Sequence, residues 1–125
     1  MSRIRGVQLG DTFWAGHLHV VCSEPDADGS VVIFNTTTMR SDSDRNCIIQ
    51  PNELPSVNHV SVIAYERGHV MTKAQQEQLE ESKEFATMRR SSASADVLRR
   101  IQEGALKSDQ TPIEVQDIIS DQVRS

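Results

Sequence analysis

A chain of 125 residues with 37% apolar and 4% aromatic residues has room for one small core and no second domain of enzyme size. Its net charge of -5 excludes a molecule that coats nucleic acid or membrane through bulk positive charge, leaving only local basic patches. The few aromatic residues exclude the broad aromatic sheet on which RNA-recognition modules stack bases.

The N-terminal stretch Met1 to Arg5 is basic, but Gly6, Gln8, Gly10 and Asp11 interrupt the apolar run that a signal peptide needs. Short strands then follow one another. Thr12-Phe13-Trp14 comes after Gly10-Asp11, Leu18 to Cys22 after Gly16, and Val31 to Phe34 after the turn-rich Glu24 to Ser30. Ser41 to Asn46 is a polar loop, and Cys47-Ile48-Ile49 is a short strand stopped by Pro51. Val60 to Tyr65 continues the pattern, and Gly68 breaks it before His69-Val70-Met71. Strands this short, with no helices between them, predict a small antiparallel barrel over residues 1–71.

From Thr72 the pattern changes period. Thr72 with Gln75 three residues on is a capping-box start, and Lys73 to Met88 reads as one helix with sparse apolar positions. Arg89 to Ala93 reads as a break. Ser94 caps a second helix whose apolar face is Val97, Leu98, Ile101, Ala105 and Leu106. Thr111-Pro112 opens a third, with Pro at the first helical position and Ile113, Val115, Ile118, Ile119 and Val123 following. Residues 72–125 are thus a helical extension on the barrel or on a partner, and the fold class is mainly β with C-terminal helices.

Several polar residues invite chemistry. His17 and His19 are two apart and share one strand face, while Val20 and Cys22 share the other. Imidazole is the commonest general acid or base, so His17 is a candidate for proton transfer and His19 reads as a solvent-facing strand residue. Cys47 with His59 allows a thiolate nucleophile, against the commoner reading of a buried core cysteine. Ser61 and Tyr65 share a strand face by even spacing and could line the same cleft. Arg40 and Arg45 offer phosphate contacts, offset by Asp42 and Asp44 between them. No pair has the tight spacing of metal ligands, so neither a metal nor another cofactor is expected.

At Gly10 to Trp14, His17 to Ser23 and Val31 to Thr37 the chain resembles the Kid/PemK/MazF family of toxin endoribonucleases. The likeness covers roughly residues 9 to 71 and rests on the order and spacing of three strand motifs. It implies an SH3-like barrel, a homodimer, metal-free cleavage of single-stranded RNA and a cognate antitoxin that occludes the site, while Cys22 and Cys47 in a chain without a signal-like segment fit a reducing cytoplasm. It departs from the family where the catalytic Arg and the Pro after it stand as His17 and Leu18, and where the long loop between the first two strands shrinks to Ala15-Gly16. The chain is similar also to a looser set of uncharacterised short bacterial proteins through His17 to Ser23, Asn35 to Thr37, Cys47 and His59.

The resemblance implies His17 at the family's catalytic position and Thr36-Thr37 as its threonine partner, with a hydroxyl on a phosphate oxygen; His59, a second polar group in the cleft, completes the catalytic set. Asn35, Arg40, Ser61 and Tyr65 form the substrate-binding set, and Cys47 is a nucleophile in a third, Cys-dependent hydrolase reading. The alternative from another class is a non-catalytic SH3-like module that binds a protein partner through the same cleft and helices. The wide apolar stripe of the last two helices either closes the barrel end or forms a dimer or antitoxin surface.

Overall fold

The computed structural model describes residues 7–82 and 84–123, so the basic start up to Arg5 lies outside the described residues. The N-terminal half forms β1 (Thr12–Ala15), β2 (His17–Val21), β3 (Val31–Thr38), β4 (Ile48–Ile49), β5 (Ser61–Ile63) and β6 (His69–Met71), with a 3-10 turn at Tyr65–Arg67. α1 (Lys73–Glu81), α2 (Phe85–Met88), β7 (Arg89–Arg90), α3 (Ala95–Lys107) and α4 (Ile113–Val123) complete the chain.

The strands form one antiparallel sheet in the order β4-β5-β3-β2-β1-β7, with β6 also on β3. β3 is the organising strand. Its first half pairs with β2 and β6, and its last three residues pair with β5 in the register Thr36↔Ile63, Thr37↔Val62, Thr38↔Ser61. β1 and β2 are joined by a hairpin that turns on Gly16 at φ +76°, a conformation that glycine adopts without steric cost. Among the described residues no ladder joins the end strands β4 and β7, so the sheet stays open where the sequence predicts a closed barrel. Two-residue strands at both edges offer too few N–H and C=O groups to zip together.

Both faces of the sheet are covered. Leu18, Val20, Cys22, Val32 and Phe34 point to the side on which α3 and α4 lie, and meet Val97, Ile101, Ala105, Val115 and Ile119 in the larger core. Phe13, Val21, Val31 and Ile33 point the other way and pack with Met71 and Phe85 in a smaller one. Strand alternation therefore sorts the two clusters. Fixing so many large side chains in one packing is what holds the sheet against the helices, since each fully buried Leu, Ile or Phe contributes about 1.5–3 kcal/mol over its exposed state.

The starts of α1 and α3 are those the sequence predicts. The Thr72 hydroxyl accepts from the Gln75 N–H, and the Gln75 side chain accepts from the Thr72 N–H, closing the capping box. Ser94 caps α3 in the same way through the Val97 N–H. Pro112 sits just ahead of α4, its carbonyl taking the first helical bond from Gln116. α1 has little apolar surface and is anchored instead by buried Gln76, whose amide donates to the carbonyls of Gly29 and Met71 at 2.8 and 3.0 Å.

The structure departs from the predicted elements in three places. The single helix over Lys73 to Met88 is two, broken at Ser82, because Phe85 turns inward to the smaller core. Arg89-Arg90, expected as a break, is strand β7 on β1, which gives the open edge of β1 hydrogen-bond partners. Arg90 also donates to the carbonyls of Thr87 and Met88, capping α2. The strand expected through Tyr65 ends at Ile63, because the chain curls into the 3-10 turn and carries Tyr65 into the core.

Candidate functional site

The β1–β2 hairpin tip, the end of β3 and the loop entering β5 meet at one end of the sheet. Between them lies a cleft of about 170 Å³, lined by His17 from the hairpin, Thr36, Thr37 and Thr38 from β3, and His59 and Ser61 from the β5 side. The pairing of Thr38 with Ser61 sets this geometry, since it puts the loop residue His59 across from the strand end. Ser61 is buried and its hydroxyl donates to the His59 carbonyl at 3.1 Å, which ties the loop down.

His59 stands between two polar partners. Its Nδ1 is 3.0 Å from the Asn58 Oδ1, and its Nε2 is 2.9 Å from the Thr38 Oγ1. An amide oxygen can only accept, so the neutral ring carries its proton on Nδ1 and offers the Nε2 lone pair to the Thr38 hydroxyl. A hydroxyl, a base and an orienting acceptor thus form a relay at the cleft mouth, with Asn58, His59 and Thr38 all exposed. His17 is half-buried and faces the same cleft.

The remaining predicted residues are distributed differently. Thr36 is buried and gives the cleft part of its wall, while Thr37 is half-buried. Asn35 is buried and donates its amide to the Thr36 carbonyl at 3.0 Å, which supports the strand rather than reaching the cleft. Arg40 lies outside it, in the neighbouring polar hollow.

Tyr65 does not line the cleft as even spacing with Ser61 predicts. It is fully buried, edge-on to Phe34, and its hydroxyl donates to the Ile101 carbonyl of α3 at 2.8 Å. Gly104 makes room for it, since a Cβ there would stand 2.1 Å from the phenolic oxygen.

Cys47 is also in the larger core, 4% exposed, and burial pushes its thiol pKa up, so the nucleophilic thiolate is disfavoured. The His59 ring nitrogens are directed at Thr38 and Asn58, not at this cysteine. His19 stacks flat on Phe13 with ring centres 5.0 Å apart and bonds the His17 carbonyl through Nδ1. Burial lowers its pKa, the mark of a packed imidazole rather than the solvent-facing one expected.

Beside the cleft, and sharing Thr37 with it, is a wider hollow of about 740 Å³ between the polar loop and the 3-10 turn. Arg40, Arg45 and Arg67 line it together with Asp42, Asp44, Glu66 and Asp109, so it has no net positive charge. Asp44 is committed to structure: hydrogen bonds from Ser108 and Asn46 outweigh its partial burial and lower its carboxyl pKa. The described residues contain no group of three or more His, Cys, Asp or Glu side chains arranged to hold a metal ion. None of their helices is long and apolar enough to cross a membrane.

Sequence reasoning missed Asn58 and Trp14, and also Ser56 and Val57 of the cleft lining. Asn58 matters only because it precedes His59 on a loop whose path the β3–β5 register sets. Trp14 forms a cleft wall and is 39% exposed, although its strand position reads as ordinary. The exposed Gly16 turn two residues on was the available signal for the latter. No protein-family model matches the chain, and neither a curated protein nor a solved structure matches it significantly.

Proposed function

We propose that the chain is a metal-independent endoribonuclease of the toxin type, or a degenerate relative of one, built on an SH3-like arrangement of its sheet. The observation that carries this reading is that His17, Thr36, Thr37 and His59, separated by up to forty-odd positions, line one cleft. Two imidazoles beside hydroxyl donors are the parts that phosphodiester transfer needs.

In the proposed reaction the ribose 2′-hydroxyl displaces Thr38 from the His59 Nε2, gives that nitrogen its proton and attacks the adjacent phosphorus. The bond to the 5′-oxygen breaks, His17 in its protonated form supplies the proton to that oxygen, and the products are a 2′,3′-cyclic phosphate and a 5′-hydroxyl end. Thr37 or Thr38 donates to a non-bridging oxygen as charge gathers there. Asn58 holds the His59 tautomer. Single-stranded RNA is the substrate, because a duplex cannot fold its backbone into so small a cleft.

In this reading the protein acts in the cytoplasm as a homodimer, and a cognate antitoxin covers the cleft. A non-catalytic binding module is the second reading. It is favoured by Ile113 and Val123, which are 76% and 44% exposed at the two ends of α4 and offer apolar contacts to a protein partner.

Incubation with a long, weakly structured RNA in EDTA decides between them, with His17→Ala and His59→Ala alongside. Discrete fragments ending in cyclic phosphate, lost in both variants, are expected. RNA intact in every lane removes the ribonuclease reading and leaves the binding module.

A further inference from the structure

Five residues of this chain are aromatic, and four of them have a ring partner. Phe13 stacks on His19 and meets Phe85 edge-on, and Phe34 meets Tyr65 edge-on. Trp14 is the exception. Among the described residues no ring packs against its indole and its Nε1–H donates to nothing, although Leu18, directly opposite it on β2, is fully buried. A large amphipathic ring left 39% exposed in so small a protein is an unspent contact surface.

Its position says what would use it. Trp14 walls the same cleft as His17 and His59, and that cleft, at about 170 Å³, is well below the roughly 300–1,000 Å³ of pockets that take drug-sized ligands. The indole on its wall can meet one flat ring beside the backbone, but the space takes no folded molecule. Thr36, Thr37 and Thr38 supply hydroxyls on the wall, which can meet the polar edge of such a ring. A planar π-face beside polar edges, in a space of this size, fits an unpaired nucleobase.

We propose that Trp14 is the stacking platform for an unpaired nucleobase next to the phosphate that His17 and His59 address. This rests on the ribonuclease reading for the identity of that phosphate, but base stacking itself needs no catalysis.

Trp14 is the single tryptophan, so intrinsic fluorescence reports this site alone. The probe is a short oligodeoxythymidine, which lacks the 2′-hydroxyl and survives any cleavage, compared with an abasic strand of equal length. Saturable quenching by the thymidine strand and none by the abasic strand is expected. By anisotropy of a labelled strand, Trp14→Ala should weaken binding roughly 5- to 150-fold, the usual worth of one stacked base. Trp14→Phe, which keeps a ring, should stay within a few-fold of the parent and shows that the site folds.

Equal quenching by both strands, undiminished binding by Trp14→Ala, or quenching by a proline-rich peptide but not by DNA would each overturn the proposal. The two readings also fail separately. RNA cut by Trp14→Ala at the parental rate sinks the platform and spares the nuclease, while quenching by the oligonucleotide with RNA left intact does the reverse.

Discussion

Two regions of this molecule put a nucleophilic atom beside a hydrogen-bonding partner, and they differ in nearly everything else. At the cleft, the Thr38 hydroxyl and the His59 imidazole are exposed, and Asn58 fixes which nitrogen accepts. In the larger core, the Cys47 thiol sits near the Tyr65 phenol, whose proton goes to the Ile101 carbonyl. Burial raises the pKa of both core groups, so neither ionises readily at neutral pH. The intrinsically better nucleophile is the inert one. Accessibility and a correctly oriented acceptor, rather than residue type, separate a candidate site from a piece of packing.

The comparison breaks most visibly at the histidines. If the cleft is catalytic, His59→Ala and His17→Ala should each lower RNA cleavage by about 10²- to 10⁴-fold, the usual contribution of a positioned acid or base. Neither is a core residue, so thermal melts should show stability changes within roughly 0.5 kcal/mol. A large loss of stability in either variant would show that the cleft is held as packing.

The core side is tested by thiol chemistry. Cys22 and Cys47 are both buried, and neither should react with a thiol reagent at neutral pH until denaturant unfolds the protein. Labelling of Cys47 in the native state would erase the contrast and revive a thiolate nucleophile.

Gly104→Ala should be the most damaging conservative change in the core. The new methyl would stand 2.1 Å from the Tyr65 hydroxyl oxygen and 2.9 Å from the Asn46 carbonyl oxygen, neither of which is a flexible chain end. A loss of about 3 kcal/mol, at the upper end for overpacking, is expected from urea unfolding. A variant as stable as the parent would mean that α3 does not lock on Tyr65.

The smallest effect concerns His19, which is packed on Phe13 but belongs to neither region. Its folded-state pKa lies below the ordinary histidine value because burial disfavours the charged ring. Below a pH of about 6.5 the unfolded chain takes up a proton that the folded one refuses, so this contribution is full above about 6.5 and is lost as the pH drops towards the folded value. His19→Phe keeps the stack on Phe13 and should flatten the dependence of melting temperature on pH in that window. An unchanged slope would assign it to other groups.

Much of the local structure was legible in advance. The strands around Phe13, Val20 and Ile33, the caps at Thr72 and Ser94, and the buried stripe of α3 all follow from alternation, side-chain capping and helical spacing, which act over a few residues. The cleft was legible only in part. His17, Thr36, Thr37, His59 and Ser61 were named from the chain and do line it, whereas Asn35, Arg40, Tyr65 and Cys47 were named with them and do not. Tyr65 shows why. Nothing within five residues of it says that Gly104, about forty positions on, leaves a hole of its size.

The sequence by itself determined an antiparallel β-rich half, a helical second half and where most helices start, because those depend on propensities and patterns among near neighbours. The tertiary structure alone decided that the sheet stays open and takes β7 from the second half as an edge strand, and that α2 is separate from α1. It alone decided that His59 meets Thr38, that Cys47 and Tyr65 are core, and that Trp14 is left exposed at the cleft. Those outcomes depend on register and on competition for buried volume between distant segments, and a slip of β5 by one residue along β3 would turn Ser61 to the face opposite Thr38.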